Sequence, residues 1–151
     1  MDRKQIRAIF EFVSLIDKEL VIVFDEHNYY DYSNDRVGFS FDDLDDNGFL
    51  RHLREKHNIN DIDLSLRMWS ILHEIGHHFT WEDEFESEDE MYERYTYQHF
   101  PCENEAQLIA MQDAYFDMES EWRATEWAID FARSNYEICK KYDRIIGEQN
   151  E

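Results

Sequence analysis

The amino-acid sequence predicts an α+β fold in which a small sheet packs against several helices. Residues 20–24 and 36–41 are short runs of β-branched and aromatic residues, as expected for strands. Much of the remaining chain carries apolar residues at helical spacing, and helices beside a small sheet define the α+β class. A chain of 151 residues, 42% of them hydrophobic, is long enough to form one domain with its own core over residues 1–151.

An amphipathic helix is the first predicted element, within residues 1–20. Ile9, Val13 and Ile16 recur at helical spacing, and acidic residues such as Glu11 interrupt the apolar sequence. A secretory signal needs a continuous apolar core, so this segment is not expected to direct export. We therefore expect a helix of the folded protein rather than a targeting sequence.

Two strands are predicted next, and they are expected to pair across the polar residues 25–35. The first is the apolar run at residues 20–24. In the second, Val37, Phe39 and Phe41 alternate with other residues, a spacing that places their side chains on one face of a sheet. This pair would form the small sheet of the predicted fold.

Helices are predicted over residues 48–58, 61–80 and most of 103–146. The last of these segments is expected to divide into two helices at a break near residues 117–120. Residues 82–90 contain seven acidic side chains in nine positions, which predicts a solvated, mobile loop. The alternative is that these acids form a charge filter that favours basic substrates.

The helix predicted over residues 61–80 has two distinct faces. Its N-cap is expected at Asn60 or Asp61, because these residue types accept a hydrogen bond from the first turn. His73 and His77 share a face outside the apolar stripe, so they are not simply part of the core. The stripe consists of Met68, Leu72, Ile75 and Phe79.

Residues 73–77 read His-Glu-Ile-Gly-His, which is the HExxH pattern of zinc sites in metallopeptidases. On a helix, His73 and His77 lie one turn apart, so both imidazoles can reach one ion. Glu74 falls beside that face, where its carboxylate can polarise a water molecule without being a ligand. Gly76 lowers helix stability by about 1 kcal/mol relative to alanine, which indicates that another element packs closely there.

A catalytic zinc site takes a third protein ligand, and the segment at residues 119–128 supplies the candidates. If this segment is helical, Glu121 shares a face with small residues that would allow close approach to Gly76. Those small residues are Ala124, Thr125 and Ala128. The residues alone therefore favour Glu121 and leave Glu119 and Glu126 as alternatives.

Both segments resemble the ImmA/IrrE metallopeptidases of bacteria, phages and mobile elements. Residues 73–77 match that family's HE(I/L)GH motif, and the downstream segment matches its E-x-x-A-x-x-(W/F)-A helix position by position. The matching residues of the second motif are Glu121, Ala124, Trp127 and Ala128. The resemblance extends over residues 21–132, and one departure is Thr125, where many members carry asparagine.

The resemblance implies a zincin-like, gluzincin-type peptidase core and a zinc-dependent endopeptidase activity. In that reaction His73, His77 and Glu121 would bind zinc, and Glu74 would take a proton from water and pass it to the leaving amine. The implied substrate is a protein, typically a basic helix-turn-helix repressor. A strand beside the motif helix would bind the substrate backbone, and residues 39–41 are the predicted edge.

The residue that stabilises the oxyanion of the reaction is left open by the sequence. A histidine or a tyrosine can donate the required hydrogen bond. The candidates downstream of the motif helix are Tyr95, Tyr97, His99 and Tyr115.

The charge of the chain restricts its partners. Its 15 lysine and arginine residues against 36 aspartate and glutamate residues give a net charge of -21. Such a surface disfavours direct binding to nucleic acid or to an anionic membrane, and it favours a basic protein partner. It also leaves an alternative function, that of a non-catalytic acidic DNA mimic or inhibitor that binds a DNA-binding protein.

Cysteine usage and hydropathy predict the compartment. Cys102 and Cys139 form no CxxC pattern, which favours reduced thiols in a cytoplasmic protein. No apolar stretch approaches the length of a membrane-spanning helix. The sequence therefore predicts a soluble, cytoplasmic protein.

Overall fold

The computed structural model describes residues 1–42 and 45–148, and these residues have an α+β architecture. The strands are β1 (Val21–Asp25), β2 (Tyr29–Asp31) and β3 (Arg36–Ser40). The helices are α1 (Arg3–Ile16), α2 (Phe49–Lys56), α3 (Leu66–Thr80), α4 (Glu88–His99), α5 (Glu105–Asp117), α6 (Glu119–Ser134) and α7 (Tyr136–Ile146), with a short 3-10 helix at Asp83–Glu86. The predicted α+β class is confirmed. No helix in the described ranges is long and apolar enough to cross a membrane.

The three strands form one mixed sheet in the order β1-β3-β2. β1 runs parallel to β3, with Val21 opposite Arg36, and β2 runs antiparallel to β3, with Tyr29 opposite Gly38. The expected pairing of the two predicted strands is confirmed. The sequence does not predict β2, because a strand of three residues is too short to show alternation.

β3 is the central strand, so the predicted substrate-binding edge at residues 39–41 is wrong. The backbone N–H of Ser40 donates to Asn28 Oδ1 at 2.7 Å, and that of Phe41 donates to the carbonyl oxygen of Asp25 at 3.2 Å. These hydrogen bonds occupy backbone N–H groups that would have to pair with an added substrate strand. The edge strands are β1 and β2, and β2 packs against α3, which carries the two histidines.

α3 begins after Ser65, so the N-cap expected at Asn60 or Asp61 is wrong. The Ser65 hydroxyl accepts a hydrogen bond from the N–H of Met68 at 3.1 Å. Ser65 also donates its backbone N–H and its hydroxyl to the Asp143 carboxylate of α7, at 2.8 and 2.5 Å. This long-range anchor selects Ser65 as the cap, because it fixes the backbone where the first turn needs an acceptor.

The apolar stripe of α3 faces the core. Met68, Leu72 and Ile75 are buried, whereas Phe79 is 46% exposed and stacks on Trp127 with ring centroids 5.0 Å apart. Burial of each of the three core side chains contributes about 1.5–3 kcal/mol. The most extensive contact of α3 is with α6, so the core fixes the relative position of these two helices.

Residues 103–146 form three helices rather than two. The break at Met118 lies where the sequence predicts it. A second break follows at Asn135, whose backbone N–H donates to the carbonyl oxygen of Phe131 at 2.9 Å. Helical spacing of apolar residues continues through α6 and α7, so the pattern does not indicate this second break.

Residues 82–90 form the 3-10 helix and the start of α4, so the loop predicted there is wrong. The Ser87 hydroxyl accepts a hydrogen bond from the N–H of Glu90 at 3.3 Å. Glu88 and Asp89 lie in the first turn, where negative charge interacts favourably with the helix dipole. No residue of α4 is buried, so no apolar stripe indicates the helix.

Candidate metal centre

Two imidazoles and one carboxylate meet between α3 and α6. His73 and His77 lie one turn apart on α3, and Glu121 lies in the first turn of α6. Glu121 Oε2 is 2.6 Å from His73 Nε2 and 3.0 Å from His77 Nε2. All three side chains are buried, and one ligand atom of each lies within 4.8 Å of the other two. This buried group could hold a metal ion.

The hydrogen bonds around His73 fit a metal ligand. The Thr125 hydroxyl donates to the carbonyl oxygen of Glu121 at 2.9 Å, so its oxygen is free to accept a hydrogen bond from the Nδ1–H of His73, with the two atoms 3.1 Å apart. With its proton on Nδ1, His73 directs the lone pair of Nε2 toward Glu121 Oε2. Two lone pairs at this distance repel each other unless a proton or a cation lies between them.

The donor types also suit a divalent transition metal. Two imidazole nitrogens and one carboxylate oxygen form a common set of three protein ligands, which leaves a further coordination position open. His77 Nδ1 is buried and has no hydrogen-bond partner among the described residues. The His77 ring is therefore oriented by the contact of its Nε2 with Glu121 and by packing against Tyr30, whose ring stacks on it with centroids 5.9 Å apart.

Gly76 allows α3 and α6 to approach closely. A Cβ atom at Gly76 would collide with the carbonyl oxygen of Ala124. Ala124 and Ala128 are fully buried on the facing side of α6. The close packing that the sequence predicts at Gly76 is confirmed, and it brings Glu121 to the two histidines.

We expect Gly76→Ala to destabilise the protein by about 1–3 kcal/mol, because overpacking a close helix contact outweighs a better helix propensity. Unfolding by denaturant, with CD detection, measures the change. Ala110→Gly on α5, at an exposed position, is the control that measures the propensity effect alone. An unchanged or increased free energy of unfolding for Gly76→Ala would contradict the close contact.

The second oxygen of Glu121 is held by a residue of α4. Arg94 Nη1 donates to Glu121 Oε1 at 2.5 Å and to the Tyr115 hydroxyl at 3.1 Å. Arg94 Nη2 donates to Ser120 Oγ at 2.9 Å, and the Ser120 hydroxyl donates to the Glu90 carboxylate. The sequence alone does not single out Arg94. The signal that could have found it is the serine cap at residue 87 followed by the pairing of Glu90 with Arg94 four residues later.

The two glutamates of the centre have opposite pKa shifts. Burial raises the pKa of Glu121, but electrostatic interactions and hydrogen bonds with the imidazoles of His77 and His73 outweigh this and hold the pKa well below its ordinary value. Burial raises the pKa of Glu74 to about 7, and the charge of His73 opposes the shift. The side chain of Glu74 is half-buried, so part of it contacts solvent. Glu121 is therefore a carboxylate, as a metal ligand must be.

Glu74 lies between two halves of a cleft. The larger half has a volume of about 420 Å³ and the smaller about 220 Å³, and both are lined by Glu74, Asn28 and Tyr115. Acidic residues of the larger half are Glu26, Asp42 and Asp45. Aromatic residues of the smaller half include Tyr29, Tyr30, Tyr32 and Trp81. Within the described ranges, residues 82–90 line neither half, and only Glu90 among them adjoins the centre, through Ser120 and Arg94.

Among the four candidates for donating a hydrogen bond to the oxyanion, Tyr115 is the one that lies at the metal centre. It lines both halves of the cleft, and burial raises the pKa of its hydroxyl well above the ordinary value, so the hydroxyl stays protonated. Tyr95 and His99 instead stack on each other on the exposed surface of α4, with centroids 4.2 Å apart. Tyr97 lines a separate groove between α4 and α5.

The structure places the three predicted ligands together and keeps the two alternatives apart from them. Glu119 is exposed and pairs with Arg123 at 2.9 Å, and Glu126 is exposed on the far side of α6. No protein-family model, no curated protein and no solved structure matches this chain.

Proposed function

We propose that this protein is a zinc-dependent endopeptidase with a zincin-like, gluzincin-type site. The observation that supports this proposal is the convergence of His73, His77 and Glu121 beside Glu74 in a cleft. Two histidines and one glutamate are the protein ligands of many zinc peptidases, which keep the fourth position open. A structural zinc site would instead be closed by a fourth protein ligand, and none adjoins this group in the described residues.

The residues around the centre have distinct roles in such a reaction. Zinc, when bound, supplies a Lewis acid that polarises the scissile carbonyl group and acidifies water. Glu74 accepts the proton of the attacking water and returns it to the leaving amine, because its carboxylate faces both halves of the cleft. The Tyr115 hydroxyl donates a hydrogen bond to the oxyanion.

β2 is the strand to which an extended substrate would add. It is an edge strand, and Tyr30 contacts the ring of His77, so β2 lies directly beside the centre. Strand addition uses the unpaired backbone groups of such an edge. We assign substrate binding to β2 rather than to residues 39–41, because β3 has a neighbouring strand on each side.

The charge supports a basic protein as the substrate. The chain has a net charge of -21, and Glu26, Asp42 and Asp45 line the larger half of the cleft. Such a field attracts a basic partner and increases its association rate. A helix-turn-helix repressor fits this description, and the family resemblance points to the same class.

Co-expression with a basic helix-turn-helix repressor tests the proposed function. We expect discrete repressor fragments by mass spectrometry and loss of repressor-bound DNA in a gel shift. Glu74→Gln should still bind the repressor, more weakly at high salt, but leave it intact. If Glu74→Gln releases the DNA as well as the unaltered protein does, with no fragments in either case, the protein is an acidic DNA mimic instead.

A further inference from the structure

α4 supplies a residue to the metal centre without entering the core. None of its residues is buried, and it contacts mainly α5 and the 3-10 helix. The Arg94 side chain is nevertheless only 26% exposed, and it reaches α6. Its guanidinium group bonds to Glu121, Tyr115 and Ser120, so one planar group joins the first turn of α6 to the end of α5.

We propose that Arg94 is a positioning residue that orients Glu121 for metal binding, an inference that rests on the proposed zinc site. Arg94 holds Oε1 of Glu121, which leaves Oε2 facing His73 and His77. A carboxylate fixed in this way presents a single oxygen to the ion and keeps space for water beside Glu74. Loss of a hydrogen bond that orients a metal ligand from outside the coordination sphere commonly lowers metal affinity by about 10- to 100-fold.

Arg94 also brings a positive charge near the site, and this charge opposes binding of a cation. Removing the positive charge would therefore raise the metal affinity, whereas removing the hydrogen bonds to Glu121 would lower it. Lysine keeps the charge but lacks the planar fork that can bond to a carboxylate, a phenol and a hydroxyl together. Arg94→Lys thus changes the orientation of Glu121 and leaves the repulsion nearly constant.

Chelator competition with purified protein measures the zinc affinity of Arg94→Lys. We expect the affinity to fall by about 10- to 100-fold. Cobalt substitution supplies a second readout that is independent of activity, because the visible bands of Co²⁺ change in intensity with coordination number. We expect weaker bands for Arg94→Lys, since a freed Glu121 can bind through both oxygens.

Arg123→Lys is the matched control. Arg123 likewise donates hydrogen bonds to side chains of two other residues, Glu82 at 2.6 Å and Glu119 at 2.9 Å, but neither belongs to the metal centre. The zinc affinity and the cobalt spectrum of Arg123→Lys should equal those of the unaltered protein. The comparison separates a specific role of Arg94 from the general effect of replacing a hydrogen-bonded arginine with lysine.

Equal zinc affinity and an equal cobalt spectrum in Arg94→Lys would overturn the inference. Should that variant not fold, Ser120→Ala takes its place, because it removes the acceptor of Nη2 and leaves the Arg94 charge. We expect Ser120→Ala to weaken zinc several-fold, and an unchanged affinity would also overturn the inference. If the unaltered protein binds no zinc, the proposed function fails, and the role of Arg94 fails with it.

Discussion

Glu121→Ala is expected to abolish stable zinc binding, whereas Glu119→Ala and Glu126→Ala should bind zinc like the unaltered protein. Glu121 is the carboxylate whose oxygen lies 2.6 Å from His73 Nε2, while the other two glutamates are exposed. Loss of a ligand should exceed the effect of a residue outside the coordination sphere, so we expect more than about a 100-fold loss of affinity. Chelator competition measures all three variants.

The charge of Arg94 complicates the Glu121 substitution. Glu121→Ala leaves the guanidinium group without its main carboxylate partner, and an unpaired, largely enclosed charge destabilises a protein. Glu121→Gln is therefore a useful companion, because it keeps the size of the side chain and an oxygen for Arg94. We expect it to fold and still to bind zinc poorly. Equal sensitivity of Glu119 or Glu126 would show that another face of α6 carries the ligand.

Glu74→Gln is expected to keep zinc and to lose cleavage of the repressor. The amide has nearly the same shape but cannot accept the proton of water, and general acid–base catalysis contributes about 10²–10⁴-fold to a rate. Elemental analysis gives the zinc content, and mass spectrometry gives the rate of fragment formation. Glu93→Gln, an exposed glutamate of α4, is the control. Loss of zinc from Glu74→Gln, or a normal rate of cleavage, would remove Glu74 from its assigned role.

The parts of the centre that the sequence predicts are those set by local spacing. His73 and His77 are separated by one helical turn, and the small residues beside Glu121 indicate which face of α6 approaches Gly76. Both features follow from helix geometry alone. Helix register thus pairs the two histidines and favours Glu121, while the choice of Glu121 over Glu119 and Glu126 comes from the family resemblance.

The parts that the sequence does not predict depend on tertiary structure or on short elements. Ser65 rather than Asp61 caps α3 because Asp143 of α7 anchors it. Arg94 lies on a helix without an apolar stripe, so no periodicity indicates that it points toward Glu121. β2 spans three residues, and its insertion beside β3 changes which strand forms the edge.

The contact between Gly76 and Ala124 would couple folding to the binding of a metal ion at the proposed site. The same helix spacing that buries Ala124 and Ala128 also sets the separation of Glu121 from the histidines. Thermodynamic reciprocity then requires that a bound ion stabilise this helix contact by the free energy with which the contact strengthens binding. An ion present at 100 times its dissociation constant adds about 2.7 kcal/mol to the free energy of unfolding. A substitution that separates the helices should therefore gain a smaller increment from a given metal concentration than the unaltered protein, whereas one at the far end of the core should gain the same increment.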